Sequence, residues 1–163
     1  MRRLRNVARF IQALALGTWV GSVIYFIAIV TRGAFALLTP DQAGPLIAFT
    51  LAGLHEVGII AAIAYLIASA AIAMSIKALA RPAAVCVLVM LLLTLASQRT
   101  VIPRMETLRR EMISVESTPP SDPRRAEFDQ LHGISVDLES AVLLIGLAAL
   151  FLYAREKHQG HAR

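Results

Sequence analysis

Ionisable side chains stand inside two segments that otherwise consist mainly of apolar residues. His55 and Glu56 are neighbours within the stretch "AGLHEVGII", and His132, Ser135 and Glu139 follow one another at spacings of three and four residues. Residues at these spacings share one face of an α-helix. Because an ionisable group among hydrocarbon chains costs about 2.5–3.5 kcal/mol on insertion scales, we expect these side chains to meet one another inside a bundle of helices.

Three kinds of chemistry fit such a cluster. In the first, the polar groups hold neighbouring helices in register, with Glu56 paired to Arg99 and Glu139 bonded to His132 or Ser135. In the second, His55 and His132 bind a transition metal or a haem. Neutral imidazole suits copper, iron or zinc, and carboxylates would orient the rings.

The third kind of chemistry is a proton or solute pathway, because histidine and glutamate within membranes often relay protons. Each functional alternative has a weakness in the sequence. Zinc and copper sites usually need three or four ligands, and His55 and His132 supply two. No pair of broken helices and no inverted repeat indicates a transporter.

The supporting polar cluster is assigned from the positions of its members along the predicted helices. Gln98 and Arg99 fall near the outer end of the third apolar segment, and His55 falls somewhat outside the middle of the second. All the groups are therefore expected in the outer half of one bundle. The cluster comprises His55 and His132 as tentative metal or haem ligands, supported by Glu56, Gln98, Arg99, Ser135 and Glu139.

Four segments are long and apolar enough to position these residues across a membrane, which takes about 20 residues of helix. They span residues 10–30, 46–74, 83–102 and 131–154. The sequence therefore predicts an all-α integral membrane protein with four transmembrane helices in one bundle. No soluble domain is apparent, so residues 1–163 are expected to form a single membrane domain.

The connection between the third and fourth segments, residues 103–130, has a different pattern. Met105, Leu108 and Met112 recur at helical spacing among charged residues, which is typical of an amphipathic helix. The stretch "STPPSDP" then breaks the chain before a second helix begins. We expect the two helices to project beyond the bilayer as a hairpin, with Met105, Leu108 and Met112 against Phe128 and Leu131.

The composition excludes several classes of protein. Hydrophobic residues make up 57% of the chain and charged residues 17%, against about 25% in soluble domains. The net charge is +5, yet no basic stripe is interleaved with aromatic residues, so nucleic acid is not an expected partner. The single cysteine excludes an intrachain disulfide. No nucleophile elbow, P-loop or HExxH motif is present, and we expect no enzyme of a standard type.

The distribution of Lys and Arg predicts the orientation. With the N-terminus in the cytoplasm, nine of the 16 basic residues are cytoplasmic and seven lie on the other side. The basic start "MRRLRNVARF" favours the same orientation. We therefore predict a multi-pass protein, in a bacterial inner membrane, with both termini cytoplasmic and an extracytoplasmic hairpin through which other membrane subunits could bind.

Small residues on the first and second segments predict close packing of helices. Gly17 and Gly21 form part of a small-xxx-small stripe on the first segment, and Gly58 and Ala62 form another on the second. We expect both stripes to pack inside the bundle. Trp19 lies near the middle of the first segment, and we expect it to fill the core.

Three stretches resemble the transmembrane-protein-205-like family, a four-helix membrane domain of unknown function. They are "TWVGSVIYF", "RTVIPRMETLRREM" and "FDQLHGISVDLESAVLLIGL". Glu139 departs from the resemblance, which implies a polar amide there. The family is distantly similar to membrane proteins that handle copper or haem, which is a likeness of fold. The positions that match the family are Trp19, Gly21, Pro103, Arg104, Arg109, Phe128, His132 and Ser135.

Two functional hypotheses follow. In the first, the chain is a non-enzymatic membrane protein whose outer cluster binds a metal ion or haem, with copper or haem as the cofactor. In the second, it is a structural or accessory membrane subunit, in which the cluster joins the helices and the hairpin docks a partner.

Overall fold

The computed structural model describes residues 2–159, and these form helices and turns without a strand. The first long helical segment consists of α1 (Arg2–Tyr25), a π-helical turn (Phe26–Thr31) and α2 (Arg32–Leu37), which follow without a break. The rest of the chain forms α3 (Pro40–Ala73), a 3₁₀ turn (Ile76–Ala80), α4 (Pro82–Ala96), a second π-helical turn (Ser97–Val101), α5 (Ile102–Met112) and α6 (Pro123–Gln159).

The predicted fold class is confirmed. Four helical segments are long and apolar enough to cross a membrane, at 3–37, 40–73, 82–112 and 123–156. Each segment is longer than the stretch assigned to it from hydropathy. The connection between the first and second helical segments consists of only Leu38 and Thr39, because α3 starts with Pro40 in its first turn and continues through Pro45.

The core of the bundle lies between α1, α3, α4 and α6. Its centre is filled by apolar side chains that are at most 2% exposed, including Leu16, Trp19, Tyr65, Val87 and Met90. Large apolar side chains on the outward faces remain exposed, as expected where lipid is the solvent. The apolar exterior and packed interior together identify a polytopic membrane protein.

The amphipathic helix α5 packs against the start of α6. Met105, Leu108 and Met112 are buried and form a separate apolar cluster with Phe128, while Leu131 packs against its edge. The predicted contact between the methionine–leucine stripe and Phe128 is therefore present. This contact orients α5 and α6 along one wall of the site described below.

Polar contacts fasten the loop that joins α5 to α6. The carboxylate of Asp41, in the first turn of α3, accepts hydrogen bonds from Ser114 Oγ at 2.6 Å and Val115 N at 2.9 Å. Asp122 precedes α6 and accepts bonds from the guanidinium and the backbone N–H of Arg124. The Arg124 guanidinium beside it lowers the pKa of the Asp122 carboxyl to about 2.

The α5–α6 loop begins with a strained residue. Ile113 has φ 65° and ψ −50°, and the N–H of Ser114 donates to the carbonyl of Met112 at 2.7 Å. This is a γ-turn with positive φ, a rare conformation for a β-branched residue. The Ile113 side chain is 95% exposed, so its removal loses little packing.

Ile113→Gly is therefore expected to stabilise the protein by about 1 kcal/mol, because glycine adopts positive φ without strain. Unfolding in mixed detergent micelles, followed by circular dichroism, measures the change. Ile134→Gly is the control: Ile134 is also exposed but lies within α6, where glycine should destabilise by about 1 kcal/mol. Equal losses in both variants would contradict a strained turn at Ile113.

Candidate functional site in the membrane bundle

A hydrogen-bonded group of three side chains lies between α3, α6 and the second π-helical turn. His55 Nε2 is 2.5 Å from Glu139 Oε1, and His55 Nδ1 is 2.7 Å from Gln98 Oε1. His55 is 2% exposed and Glu139 is 7% exposed. The three residues are far apart in the sequence, so this group forms only when the bundle is assembled. We refer to His55, Glu139 and Gln98 as the buried triad.

With the Gln98 amide in this orientation, the bonding pattern indicates how many protons the buried triad holds. The Gln98 amide oxygen can only accept, so Nδ1 of His55 carries a proton and donates it. One further proton then lies between His55 Nε2 and Glu139 Oε1, bound to one of the two atoms. The His55–Glu139 pair is therefore neutral overall, whether it is an imidazolium beside a carboxylate or an imidazole beside a carboxylic acid.

A π-helical turn places Gln98 in the triad. The N–H of Ile102 donates to the carbonyl of Ser97, five residues earlier, which widens the helix by one residue at this point. Ser97 Oγ, within the same turn, is buried and has no hydrogen-bond partner among the described residues. Single π turns inside α-helices occur frequently at functional sites.

Glu139 also lines a cavity of about 330 Å³, which is bounded by the end of the first helical segment, the N-terminal parts of α3 and α6, and α5. The other π-helical turn forms part of its wall, where Thr31 Oγ1 donates to the Phe26 carbonyl at 3.1 Å. Both irregular helical turns therefore adjoin one site. Most of the wall is apolar, formed by Phe26, Ile27, Phe35, Pro40, Ile47, Ala48, Leu51, Ile102, Met105, Val115, Phe128 and Val136.

Charged residues complete the cavity lining, and most of them are paired with one another. Arg109 donates to Glu106, and its guanidinium lies 5.6 Å from the centre of the Phe128 ring. Arg125 binds Asp129 at 2.9 Å. The lining holds four carboxylates (Asp41, Glu106, Asp129 and Glu139) and two guanidiniums (Arg109 and Arg125), together with His132.

The predicted cluster residues divide into two groups. His55, Gln98 and Glu139 meet in the triad, and Ser135 and His132 line the cavity on the same face of α6 as Glu139. His132 is exposed and lies two helical turns from Glu139, about 10 Å along the axis at 1.5 Å per residue. The structure therefore separates the two histidines.

Glu56 and Arg99 do not join the cluster. Both side chains are exposed, and no ion pair joins them within residues 2–159. The Glu56–Arg99 pair of the first alternative is not formed, because each residue is turned away from its inward-facing neighbour, His55 or Gln98. The bond from Glu139 to His132 or Ser135 in the same alternative is not formed either, since Glu139 reaches across to His55.

The two small-residue stripes differ in where the structure places them, one on the exposed surface and one in the core. Gly17 and Gly21 are exposed, and a Cβ atom added at either would meet nothing within 4 Å, so the internal role predicted for them was wrong. Gly58 is buried directly beneath the indole of Trp19, which is 1% exposed. Trp19 therefore fills the core, and the absence of a side chain at Gly58 leaves room for its indole.

The donor atoms around the triad do not make up a complete metal site. Within the described part of the chain, no group of three or more His, Cys, Asp or Glu side chains is arranged to hold a metal ion. Both ring nitrogens of His55 already have partners. A metal at His55 would therefore have to displace Glu139 or Gln98.

The family model described as domain of unknown function DUF4149 matches residues 14–114, more than half of the chain. The chain belongs to this family. No curated protein and no solved structure matches the sequence. The region of the DUF4149 match contains His55 and Gln98 of the triad, whereas Glu139 lies beyond it on α6.

The sequence reasoning missed a second polar group at the opposite end of this DUF4149 bundle. Gln12 Nε2 donates to Ser69 Oγ at 2.8 Å, and the Tyr153 hydroxyl donates to the Arg9 carbonyl at 2.8 Å. Ser69 is about 21 Å along α3 from His55. A small cavity of about 60 Å³ adjoins these residues. Gln12 is the one polar amide in the apolar run of the first helix, and this residue could have indicated the second polar group from the sequence.

Proposed function

We propose that this chain is a non-enzymatic membrane protein that binds a small amphipathic molecule in the cavity beside Glu139. The observation that carries the proposal is a largely apolar cavity with a single buried carboxylate of the triad in its lining. Ligand pockets commonly combine apolar walls with a few fixed polar groups. The apolar wall would hold the hydrophobic part of the ligand, and Glu139 and the charged residues would hold its polar part.

The proposal includes an orientation for the protein. We place residues 1–163 as one membrane domain in a bacterial inner membrane, with both termini cytoplasmic and the α5–α6 hairpin extracytoplasmic. The support is the basic N-terminal stretch and the excess of basic residues on the same side. In this orientation the cavity belongs to the outer half of the bundle.

A metal ion such as copper, or a haem, is the second candidate ligand. Its support is that His132 and Glu139 both line the cavity and that His55 contacts Glu139. The resemblance to the transmembrane-protein-205-like family, and through it to proteins that handle copper or haem, points in the same direction. The ligand set would require His55 to give up one of its present bonds.

A role as an accessory membrane subunit is the third candidate. The His55–Glu139–Gln98 bonds then serve only to fix the register of the helices. The α5–α6 hairpin, which carries Arg104, Arg110 and Glu111 on exposed positions, would dock another membrane protein. In this case the cavity binds nothing.

Photolabelling of the purified protein in lipid nanodiscs separates these candidates. The probe is decanol carrying a diazirine on its alkyl chain, and labelled residues are located by mass spectrometry. We expect labelling of cavity residues such as Phe35 and Met105. Ala48→Trp, which fills the cavity wall, should abolish that labelling, while Ala148→Trp on an exposed face of α6 should leave it unchanged.

Cavity labelling that persists in Ala48→Trp, or that never exceeds labelling of the exposed helix faces, would overturn the proposal. Elemental analysis and an absorption spectrum of the same preparation test the second candidate. About one copper per chain, or a Soret band, lost in both His55→Ala and His132→Ala, would favour a metal or haem over an organic ligand.

A further inference from the structure

We infer that the cavity takes up an organic cation in exchange for the proton shared by His55 and Glu139. This inference rests on the proposed function, since it names the ligand class of the same cavity. The ligand would carry an apolar part and one positive charge, as a quaternary or protonated alkylamine does. The exchange follows in three steps from the charge of the lining, the number of protons on the pair and the chemistry of the cavity wall.

The first step is the charge of the lining. Four carboxylates and two guanidiniums leave an excess of negative charge when all the carboxylates are ionised. The two guanidiniums already bind Glu106 and Asp129, and Asp41 accepts three bonds from the loop at Ser114, Val115 and Glu116. Glu139 is the remaining carboxylate, and its protein partner is a titratable histidine rather than an arginine.

The second step is the proton count. The His55–Glu139 pair is neutral while it shares one proton, so it offers no net charge to a cation that enters the cavity beside Glu139. Release of that proton leaves one negative charge on the pair, which then balances the cation. Glu139 becomes a carboxylate facing the cation, His55 is neutral, and the reaction is one cation bound for one proton released.

Gln98 allows this exchange without breaking the triad. In the deprotonated pair the remaining imidazole proton can sit on Nε2 and donate to the Glu139 carboxylate. The Gln98 amide then turns over, so that its NH₂ group donates to Nδ1. A glutamine can serve both states because its side chain carries a donor and an acceptor, whereas a carboxylate or a lysine could serve only one.

The third step is the aromatic part of the cavity wall. Phe26 and Phe35 both line the cavity. Aromatic rings attract quaternary ammonium groups through the negative potential of their faces. Most of the other apolar residues of the wall are aliphatic and suit an alkyl chain, so an anion or a strongly hydrated metal ion has less to gain there.

Three decyl probes that differ only in their headgroup test the inference. Decyltrimethylammonium, decanol and decyl sulfate compete against the diazirine-bearing decanol for labelling of the cavity in nanodiscs. We expect decyltrimethylammonium to compete at least tenfold more strongly than decanol, and decyl sulfate more weakly. Each decyltrimethylammonium bound should release about one proton into a weakly buffered solution that contains a pH indicator.

The pH dependence has a definite sign. Protons compete with the cation, so its apparent Kd should rise by up to about tenfold for each unit that the pH falls through the titration of the pair. The decanol control should change little. Three other titratable groups in the lining, Asp41, Glu106 and Asp129, have partners of their own, and His132 at the same cavity would repel the cation when protonated.

Two variants assign the released proton to the pair. Glu139→Gln should lose both the cation preference and the proton release while decanol still labels the cavity. Glu56→Gln, at an exposed position of α3 outside the cavity lining, should keep both. The comparison of the three headgroups uses the unsubstituted protein, so it tests the cation preference even if a variant folds poorly.

Equal competition by decyltrimethylammonium and decanol, without proton release, would overturn the exchange while leaving the proposed binding function intact. Proton release that persists in Glu139→Gln or disappears in Glu56→Gln would also overturn it. Absence of cavity labelling by decanol would instead remove the proposed function itself.

Discussion

Glu139→Leu is expected to lower the free energy of unfolding by about 1–3 kcal/mol, because it leaves Nε2 of the buried His55 without a partner. The replacement side chain is of similar size, so little of this loss comes from a cavity. His55→Leu removes the other half of the pair and leaves Glu139 to be protonated. Unfolding by sodium dodecyl sulfate in mixed micelles, followed by circular dichroism, measures both variants.

The double variant tests whether the two side chains act as a pair. With both replaced by leucine no polar group is left unsatisfied, so the loss should be smaller than the sum of the single losses by about 0.5–3 kcal/mol. Glu56→Leu is the matched control, because Glu56 adjoins His55 in the sequence but is exposed. Strict additivity of the two single losses would show that His55 and Glu139 do not interact.

Gly58→Ala is expected to destabilise the bundle by about 1–3 kcal/mol, since the added methyl group collides with the buried indole of Trp19. The contact cannot relax easily, because the atoms in the way belong to a rigid ring that is 1% exposed. The same unfolding measurement applies. Trp19→Phe removes the indole nitrogen and should recover part of the loss when combined with Gly58→Ala.

Gly53→Ala supplies the control for helix propensity. Gly53 lies five residues earlier on α3, and a Cβ atom there would meet nothing within 4 Å. Alanine should be neutral or stabilising at that position, by up to about 1 kcal/mol, because it favours the helix over glycine. Similar behaviour of the two variants would contradict close packing between α1 and α3 at Trp19.

The elements of the fold could be predicted from hydropathy because each apolar run is at least as long as a bilayer requires. The packing of Met105 and Leu108 against Phe128 followed from helical spacing alone. Partners within the cluster were harder to predict. Glu139 and His55 were placed at similar depth, but which groups touch depends on the rotation of each helix about its axis.

The rotation of each helix could not be predicted from the sequence, because the π-helical turns interrupt the regular helical spacing. Spacing rules assume 100° per residue, and the turn at Ser97–Val101 departs from it where Gln98 joins His55. The stripe of Gly17 and Gly21 was ambiguous for another reason, since small residues suit a lipid-facing position as well as an interface. The cavity itself was beyond prediction, because it is the space left between four helices and no single segment encodes it.

The π-helical turn at Ser97–Val101 holds one residue more than regular α-helix would need at this point. If one residue were deleted there, regular α-helix would be restored without rotating α5 about its axis. Met105, Leu108 and Met112 would keep their contact with Phe128, whereas Gln98 would lose the widened turn that places it beside His55. We therefore expect homologous chains that lack this residue to retain the fold and to differ at the triad.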